Sequence, residues 1–549
     1  MNEPTSLPSS SPILPPPQKR NYALHEMVFA WGMLLYGYLF CRVFPVVDAR
    51  LGGFLLMLAL YVSTIIFFCI KGIKPRPLPI VIAAVALLLS LSLQLCANEM
   101  FAWLGYIFAL ISYPYILCAM QGCAIRYHLT GLIVADYFNA LLIYPIHSLA
   151  ALKDALFSGE KAKKSGGTVL KILLGILIAI IPTVIISSLL SYDEGFSALL
   201  KSIFDFDFKN ILSHLFSLLF GILIGMYLFS IYVSSAEHIS ENALDEKRCT
   251  DLVGAFRRIN GVTVLVASLP PLFLYVVFFI SQWQYYLSAF GGVLPEELPS
   301  YAQYAREGFF QLLWVVVINL CILIGGSLLL QRKTQHPPLL LRVISVIYAL
   351  FTLVLISTAL SKMLLYIRVY GLTQKRVYAS CIMLLLAVVF LLLLVRQFVI
   401  KTPVVALSMV AAILMFSLLS FGNADTMIAR YNIDCYLNGS LTGVDIYALD
   451  QMGDAAVPEL CRMAKILDER QGSDISYIPD DSNLGELYYD YQANCTTMYY
   501  RLRYTLAKTA EQFRESDASN SRTAIEKFFA FHLPAYRAEQ ALREIGMLK

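Results

Sequence analysis

Apolar residues run along this chain in blocks of about twenty, each closed by polar, Pro or Gly positions, as far as Gly422. At about 1.5 Å per residue, a helix of that length crosses about 30 Å of hydrocarbon. About eleven stretches qualify: Tyr22–Phe44, Leu51–Ile70, Leu78–Ala97, Met100–Met120, Thr168–Tyr192, Ile211–Val233, Gly261–Ser281, Phe309–Gln331, Leu339–Ser361, Val377–Val395 and Pro403–Gly422. Hydrocarbon offers a peptide group no water, so each run is predicted to be a helix.

Two segments break the rhythm. Leu129–Leu149 is largely apolar but carries Asp136, Asn139, Pro145 and His147, and the basic run EKAKK follows it. Polar groups at that density are costly in lipid, so the stretch is predicted to be an amphipathic interfacial segment; were it to span, the parity of crossings would flip. After Gly422 apolar positions come at helical spacing instead of in blocks. Val444, Ile446, Tyr447 and Leu449 suit a short helix, and Asp454 caps a second through Val457, Leu460, Ala464 and Leu467, with Pro458 in its first turn. Past a polar loop containing Pro479, LYYDYQANCTTMYYRLRYTLAKTAEQF and IEKFFAFHLPAYRAEQALREIG continue the helical pattern.

The fold class read from this pattern is an all-α integral membrane protein of about 11 transmembrane helices plus a small C-terminal helical soluble domain. Residues 1–21 are predicted to be a disordered cytoplasmic tail and residues 22–120 four transmembrane helices. Residues 121–167 form the interfacial segment, 168–422 seven more transmembrane helices, and 423–549 an extracytoplasmic α-helical domain.

Composition agrees. Hydrophobic residues at 58% and charged residues at 15% of 549 are far from a soluble globule of that size. Charge adds a direction, because loops on the N-terminal side hold about 18 Lys and Arg against about 9 on the other. The N-terminus is therefore predicted to be cytoplasmic and, after eleven crossings, the C-terminus outside. No small-residue cleavage site follows the first apolar run, which reads as a retained anchor. From Asn423 to Lys549 there are 19 acidic and 13 basic residues, a shift that marks a domain boundary. An oxidising location allows one disulfide among Cys435, Cys461 and Cys495, with three unpaired thiols as the alternative.

Candidate chemistry is sparse. Asn319 falls near the middle of the eighth span, shortly before Gly325 and Gly326. It fits a locally unwound transporter helix, or an interhelical hydrogen bond beside a close-packed Gly pair. Pro182 and the pair Pro270 and Pro271 are expected to kink the fifth and seventh spans. His25, Glu26, His214 and Arg342 lie near span ends and read as interfacial anchors. Glu237, His238 and Glu241 share a helical face but lack a further ligand set, so no metal is assigned. Asp48, and Asp193 and Glu194 with Asp205 and Asp207, match the gross plan of polytopic lipid-linked glycosyltransferases. Asp48, however, has no second carboxylate beside it to hold a divalent ion. P-loop, dinucleotide, H-E-x-x-H and G-x-S-x-G patterns are missing, and no catalytic residue or cofactor is assigned. The acidic tail argues against nucleic acid, while the basic loops suit lipid headgroups.

MIARYNIDCYLNG followed by VDIYALDQMGDAAVPEL, with YAREGFFQLLWVVVINL, YGLTQKRVYA, LLSYDEGF, IFDFDF and AFHLPAYRAEQAL, resembles an uncharacterised family of bacterial polytopic membrane proteins. That family is domain of unknown function 4173, with a closely related group beside it, and the resemblance runs from about Asp136 to the C-terminus. It implies a multi-pass protein of the bacterial cytoplasmic (inner) membrane with no assigned activity. The leading expectation is a non-catalytic binding or scaffolding role in the cell envelope. Its partners would be membrane lipids and an envelope protein or glycan reached through the external domain. A small-molecule or lipid transporter and a glycosyltransferase-like enzyme are the alternatives. In RYNIDCYLNG, Arg430 and Tyr431 are expected at headgroup level, with Asn432 in the hinge and Asp434, Asn438 and Gly439 turning the chain.

Overall fold

A computed structural model describes residues 22–43, 50–74, 76–126, 130–149, 151–156, 186, 208–237, 243–281, 301–331, 338–399, 401–441, 443–471, 495–518, 528 and 531–548. The first 21 residues, nearly all of the predicted span Thr168–Tyr192 with Pro182, and Asp48, Asp193, Glu194, Asp205, Asp207, His238 and Glu241 lie outside them. Among the described residues ten helices are long and apolar enough to cross a membrane, and they correspond to the other ten predicted runs. The protein is an all-α polytopic membrane protein.

In chain order the helices are α1 (Leu24–Val43), α2 (Arg50–Ile70), α3 (Pro77–Ser90), α4 (Ser92–Leu95), α5 (Glu99–Gln121), α6 (Ile133–Phe138), α7 (Tyr144–His147), α8 (Ala151–Leu156), α9 (Phe208–Ala236) and α10 (Glu246–Phe256). Then follow α11 (Gly261–Ser281), α12 (Tyr301–Leu329), α13 (Leu339–Tyr370), α14 (Gln374–Phe398), α15 (Val404–Phe421), α16 (Ala424–Leu437), α17 (Ile446–Asp450), α18 (Val457–Gln471), α19 (Cys495–Ala518) and α20 (Leu533–Glu544). The chain divides into two compact units, Met1–Pro45 with Ser63–Ile73 and Tyr144–Glu237, and Val46–Val62 with Lys74–Ile143 and His238–Lys549.

In the first unit α1 packs along α9 through glycines. A Cβ on Gly37 would lie 2.1 Å from the carbonyl oxygen of Gly221, and one on Gly225 would lie 3.1 Å from the Leu34 Cα. Gly221 and Gly225, in GILIG, are four apart and share a face, which lets the backbones meet. Ser234 on α9 donates to the carbonyl of Tyr144 at 2.6 Å and Ser230 to that of Pro145, so α7 is held by side-chain hydroxyls.

Glu26 is not a snorkelling anchor. It is 5% exposed, and its Oε1 accepts from Tyr232 Oη at 2.6 Å and from Lys71 Nζ at 3.4 Å, while Lys71 also donates to Tyr232 at 2.8 Å. Its Oε2 accepts from the Ala23 N–H at 3.2 Å, the reach-back half of a capping box. Stacked Phe29 and Phe67, 4.1 Å apart, exclude water beside this triad. His214, by contrast, is exposed and bonds Tyr38 at 2.7 Å.

In the second unit helices consecutive in the chain pack side by side. α3 and α4 pack on α5, where a Cβ on Gly105 would meet the Leu89 carbonyl at 2.3 Å. α12, α13 and α14 pack in sequence around Phe309, Met383 and Phe390, all fully buried. In Leu129–Leu149 a π-helical turn, Asn139–Ile143, follows α6. Asp136 and Asn139, whose polarity argued against a span, are buried rather than turned to water. Asp136 accepts from the Ile125 N–H, and the Asn139 amide pairs with both the N–H and the carbonyl of Leu244 at 2.9 Å. Burial pushes the Asp136 carboxyl up to about 6, against the Ile125 hydrogen bond that lowers it.

After α15 the residue Asn423 takes the left-handed conformation, φ 48°, and α16 sets off in a new direction. The core formed by α16 to α20 centres on Ile433, Leu449, Leu460, Met463, Leu502, Leu506 and Leu542, with Leu372 of the α13–α14 turn and Val377 in the first turn of α14 packed against it.

Removing the cation of a buried ion pair leaves an uncompensated carboxylate. Lys71→Met is therefore expected to destabilise the protein by about 3 kcal/mol and Tyr232→Phe by about 1 to 2 kcal/mol. Thermal unfolding in detergent measures both, and adding Glu26→Gln to Lys71→Met is expected to restore part of the loss.

Candidate functional site

The polar side chains of the second unit converge where the C-terminal helices meet span ends. The centre is Asn432, in the middle of α16 and only 9% exposed. Its Oδ1 accepts from the Leu372 N–H and its Nδ2 donates to the Leu372 carbonyl, both at 2.7 Å. Leu372 sits in the turn between α13 and α14, where no helix supplies these bonds, and the amide satisfies both backbone groups as a neighbouring strand would. Gly371 makes room, since its φ is +74° and a Cβ there would lie 2.5 Å from Asn432 Oδ1. Thr373 caps α14, and Arg376 returns to donate to the Tyr370 and Gly371 carbonyls while its guanidinium lies 3.9 Å from the Tyr366 ring centre.

A second set of bonds runs beside this clamp. Asn98 caps α5 through its Oδ1 and donates from Nδ2 to Tyr378 Oη at 2.9 Å, and Tyr378 donates to Asp425 Oδ1 at 3.2 Å. Burial pushes the Asp425 carboxyl up, opposed by hydrogen bonds from Gln374, Tyr378 and Asn98. A third set joins α20. His532, just before it, bonds Arg50 Nη1 through Nε2 at 2.8 Å, and Arg50 also pairs with Glu99 at 3.2 Å. Arginine can only donate, so Nε2 accepts and the proton rests on Nδ1, which lies 4.0 Å from Asp454 Oδ2. Nε2 also lies 3.1 Å from the Cys96 carbonyl, a contact in which it cannot donate in this tautomer. Burial, then the Arg50 cation, holds the His532 imidazole down to about 4, so it is neutral near pH 7. Burial also raises Asp454, with Arg50 acting in the opposite direction.

Next to these bonds a cleft of about 550 Å³ opens between α18 and α20. Asn423 and Thr426 line its side nearest the last span, and Thr426 donates to the Ala455 carbonyl at 3.0 Å. Arg462 and Lys465 on α18 face Arg537 and Glu544 on α20. The Arg462 charge is already taken up by Asp434 at 2.7 Å and Glu459 at 2.6 Å. His532 is held by Arg50, Glu99 by Arg50 and Asp425 by Tyr378, so these side chains tie the helices together. Among the described residues no group of three or more His, Cys, Asp or Glu is disposed to hold a metal.

Of the predicted residues, Asn432 belongs to this layer, while Arg430 is exposed and Tyr431 is 39% exposed. RYNIDCYLNG is mostly helix, with Asp434 inside α16, and the chain turns at Asn438 and Gly439. Asn319 is far from the layer in sequence and bonds Tyr275 Oη at 2.5 Å and Thr352 Oγ1 at 2.9 Å, tying α12 to α11 and α13. α12 is continuous through Asn319, Gly325 and Gly326, and α11 through Pro270 and Pro271, so no unwound segment exists at either place. Cys435 and Cys461 are both free thiols; the Cys495 side chain lies outside the described residues. Arg50, Asn98, Tyr378, Asp425, Asp454 and His532 were not singled out as site residues. Tyr378, Asp454 and His532 do stand inside the conspicuous motifs YGLTQKRVYA, VDIYALDQMGDAAVPEL and AFHLPAYRAEQAL.

Residues 83–463 match the family described as Domain of unknown function (DUF4153). This corrects the resemblance to domain of unknown function 4173, a different family. It also corrects the extent, since the match begins in α3 and stops short of AFHLPAYRAEQAL. Motifs at span ends carried the plan of an uncharacterised membrane family but did not separate one such family from another. No curated protein and no solved structure matches the chain.

The His532 imidazole faces Arg50, Asp454 and the Cys96 carbonyl, with Glu99 beyond Arg50. Because its folded pKa is depressed, the unfolded chain binds more protons between about pH 4 and 6.5, and stability falls as pH drops through that window. His532 accounts for at most about 3 kcal/mol of this loss. Raised carboxyls such as Asp454 act in the opposite sense, so the stability of wild type relative to His532→Gln isolates the term. That difference is expected to shrink between pH 6.5 and 4 in chemical unfolding. Separately, Gly371→Ala combines a left-handed backbone with a clash on Asn432, and is expected to cost about 1 to 3 kcal/mol in the same assay.

Proposed function

The chain belongs to the family described as Domain of unknown function (DUF4153), and from that premise we propose a non-catalytic binding role for it. In this reading the helices after Asn423 are a platform fixed on the span ends, outside the bacterial cytoplasmic membrane, that engages an envelope component. The observation that carries it is the clamp of Asn432 on Leu372, reinforced by Arg50 on His532. It immobilises the C-terminal helices beside an open cleft. A rigid mount with a concave, mixed-charge face suits recognition, whereas a carrier needs elements that move past each other. The Asn319 amide, bonded to neighbouring spans through both its oxygen and its nitrogen, likewise favours a packing role over a substrate site.

Two experiments test this. In intact cells with any outer membrane permeabilised, a membrane-impermeant thiol reagent is expected to label half-buried Cys435, and to reach buried Cys461 only after denaturation. Labelling of Cys435 only after lysis would place the platform on the cytoplasmic side. Purified protein incubated with polyprenyl-linked sugars is expected to leave them unchanged by mass spectrometry. Turnover that disappears in Asp48→Asn or Asp193→Asn would replace the binding reading with a transferase.

A further inference from the structure

The cleft beside the clamp has a chemistry of its own, and the inference drawn from it rests on the binding reading above. Its walls are two helical stripes. On α18 the lining residues are Pro458, Cys461, Arg462 and Lys465, and on α20 they are Arg537, Gln540, Ala541 and Glu544. Both sets follow i, i+3, i+4, i+7 spacing, so each helix turns one continuous face into the same space. The apolar faces that remain are used in the core, where Leu460, Met463 and Leu467 lie on α18 and Ala538 and Leu542 on α20. Two helices that meet through their apolar sides and part along their polar sides leave a groove.

Charge decides what the groove can hold. Arg462 is spent on Asp434 and Glu459. Lys465 and Arg537 are exposed, and among the described residues neither has an ionic partner. The α20 stripe also carries the carboxylate of Glu544. Apart from Arg462, the charged groups on the lining are two cations, Lys465 and Arg537, and two carboxylates, Glu544 and Asp454, the latter 4.0 Å from the neutral His532. Two cations, one of them a guanidinium with its planar fork of donors, suit a phosphate, and a carboxylate nearby suits an ammonium group.

Position decides where the ligand comes from. Asn423, on the cleft wall, is two residues past Phe421, the last residue of span α15. One wall of the cleft thus begins where the candidate span α15 ends. A volume of about 550 Å³ is in the usual range for a small-molecule site.

We propose that the cleft between α18 and α20 binds the headgroup of a phospholipid that carries both a phosphate and a primary amine, as phosphoethanolamine does. Lys465 and Arg537 take the phosphate, Glu544 takes the ammonium group, and the acyl chains stay in the bilayer beside α15. No bond is made or broken.

The test uses delipidated full-length protein in detergent, with lipid retention read by native mass spectrometry and stability by thermal unfolding. The probes are phosphatidylethanolamine, phosphatidylcholine, phosphatidylglycerol, soluble glycerophosphoethanolamine and inorganic phosphate. Phosphatidylethanolamine is expected to be retained preferentially and to raise the melting temperature. Lys465→Ala with Arg537→Ala is expected to weaken its binding by about tenfold or more at unchanged melting temperature of the lipid-free protein. Glu544→Gln is expected to keep phospholipid binding but abolish the preference over phosphatidylcholine, whose quaternary amine has no N–H to donate. Both changes are at exposed or rim positions; should the double variant melt early, Lys465→Glu alone serves the same purpose. Wild-type retention in these variants would overturn the proposal, as would equal binding of phosphatidylcholine by the native protein. Inorganic phosphate matching the lipid would overturn the lipid assignment and leave only an anion site. Conversion of the bound lipid would sink the non-catalytic reading while leaving the site intact, whereas absence of binding would remove the site and leave the platform.

Discussion

A turn between two long helices has an N–H and a carbonyl that no helix satisfies, and in this protein the side-chain amide of Asn432 takes both from Leu372. A single residue with one acceptor and two donors can do this in the space left by a glycine, and Gly371 provides that space. Replacing either partner leaves buried polar groups unpaired, at about 1 to 3 kcal/mol each. The position of α16, and with it the apolar core that runs through α18 to α20, depends on this pairing. Leu372 and Val377 pack against that core, so the turn and the C-terminal helices are held by polar and apolar contacts at once.

The same rule orders the rest of the molecule. Among the described residues most polar groups shut off from water are given a partner inside the protein, the Gln94 amide and the Ser420 hydroxyl being exceptions. Asn139 repeats the Asn432 device on Leu244, Asn319 joins three spans through Tyr275 and Thr352, and Glu26 is neutralised by Lys71 with Tyr232 between them. The layer of Asn98, Tyr378, Asp425, Arg50 and His532 differs only in that it borders an open cleft. Of the residues that contact this layer, Asp454 also lines the cleft.

Much of the plan could be read from the order of residues. Apolar blocks of about twenty specify spans because length and hydropathy are local properties, and Pro458 in the first turn of α18 marks a helix start for the same reason. Asp454, expected to cap that helix, lies instead in the short 3-10 turn Gly453–Ala455 before it. Partners were harder. Asn432 was named as part of a hinge, but its partner is 60 positions away, and spacing along a chain does not encode such a pairing. Glu26 stands at the end of a run, a position that predicts an interfacial anchor; Lys71, at the end of another run, pairs with it instead. His532 and Tyr378 were inside motifs noticed for their resemblance, yet only folding puts them in one layer. The Gly221 and Gly225 spacing stands in GILIG, but hydropathy alone does not separate a packing face from a lipid-facing one.

Backbone amide exchange at Leu372 tests the central claim most directly. In the full-length protein the Leu372 N–H is expected to exchange slowly, in Asn432→Leu at the rate of an open turn, and in Asn432→Asp, which keeps the acceptor but loses the donor, at an intermediate rate. The amides of α16 should lose protection alongside it in Asn432→Leu, while those of α12 around Asn319 stay unchanged. Equal exchange at Leu372 in all three proteins would contradict the account, since the C-terminal helices would then be held by something other than this clamp.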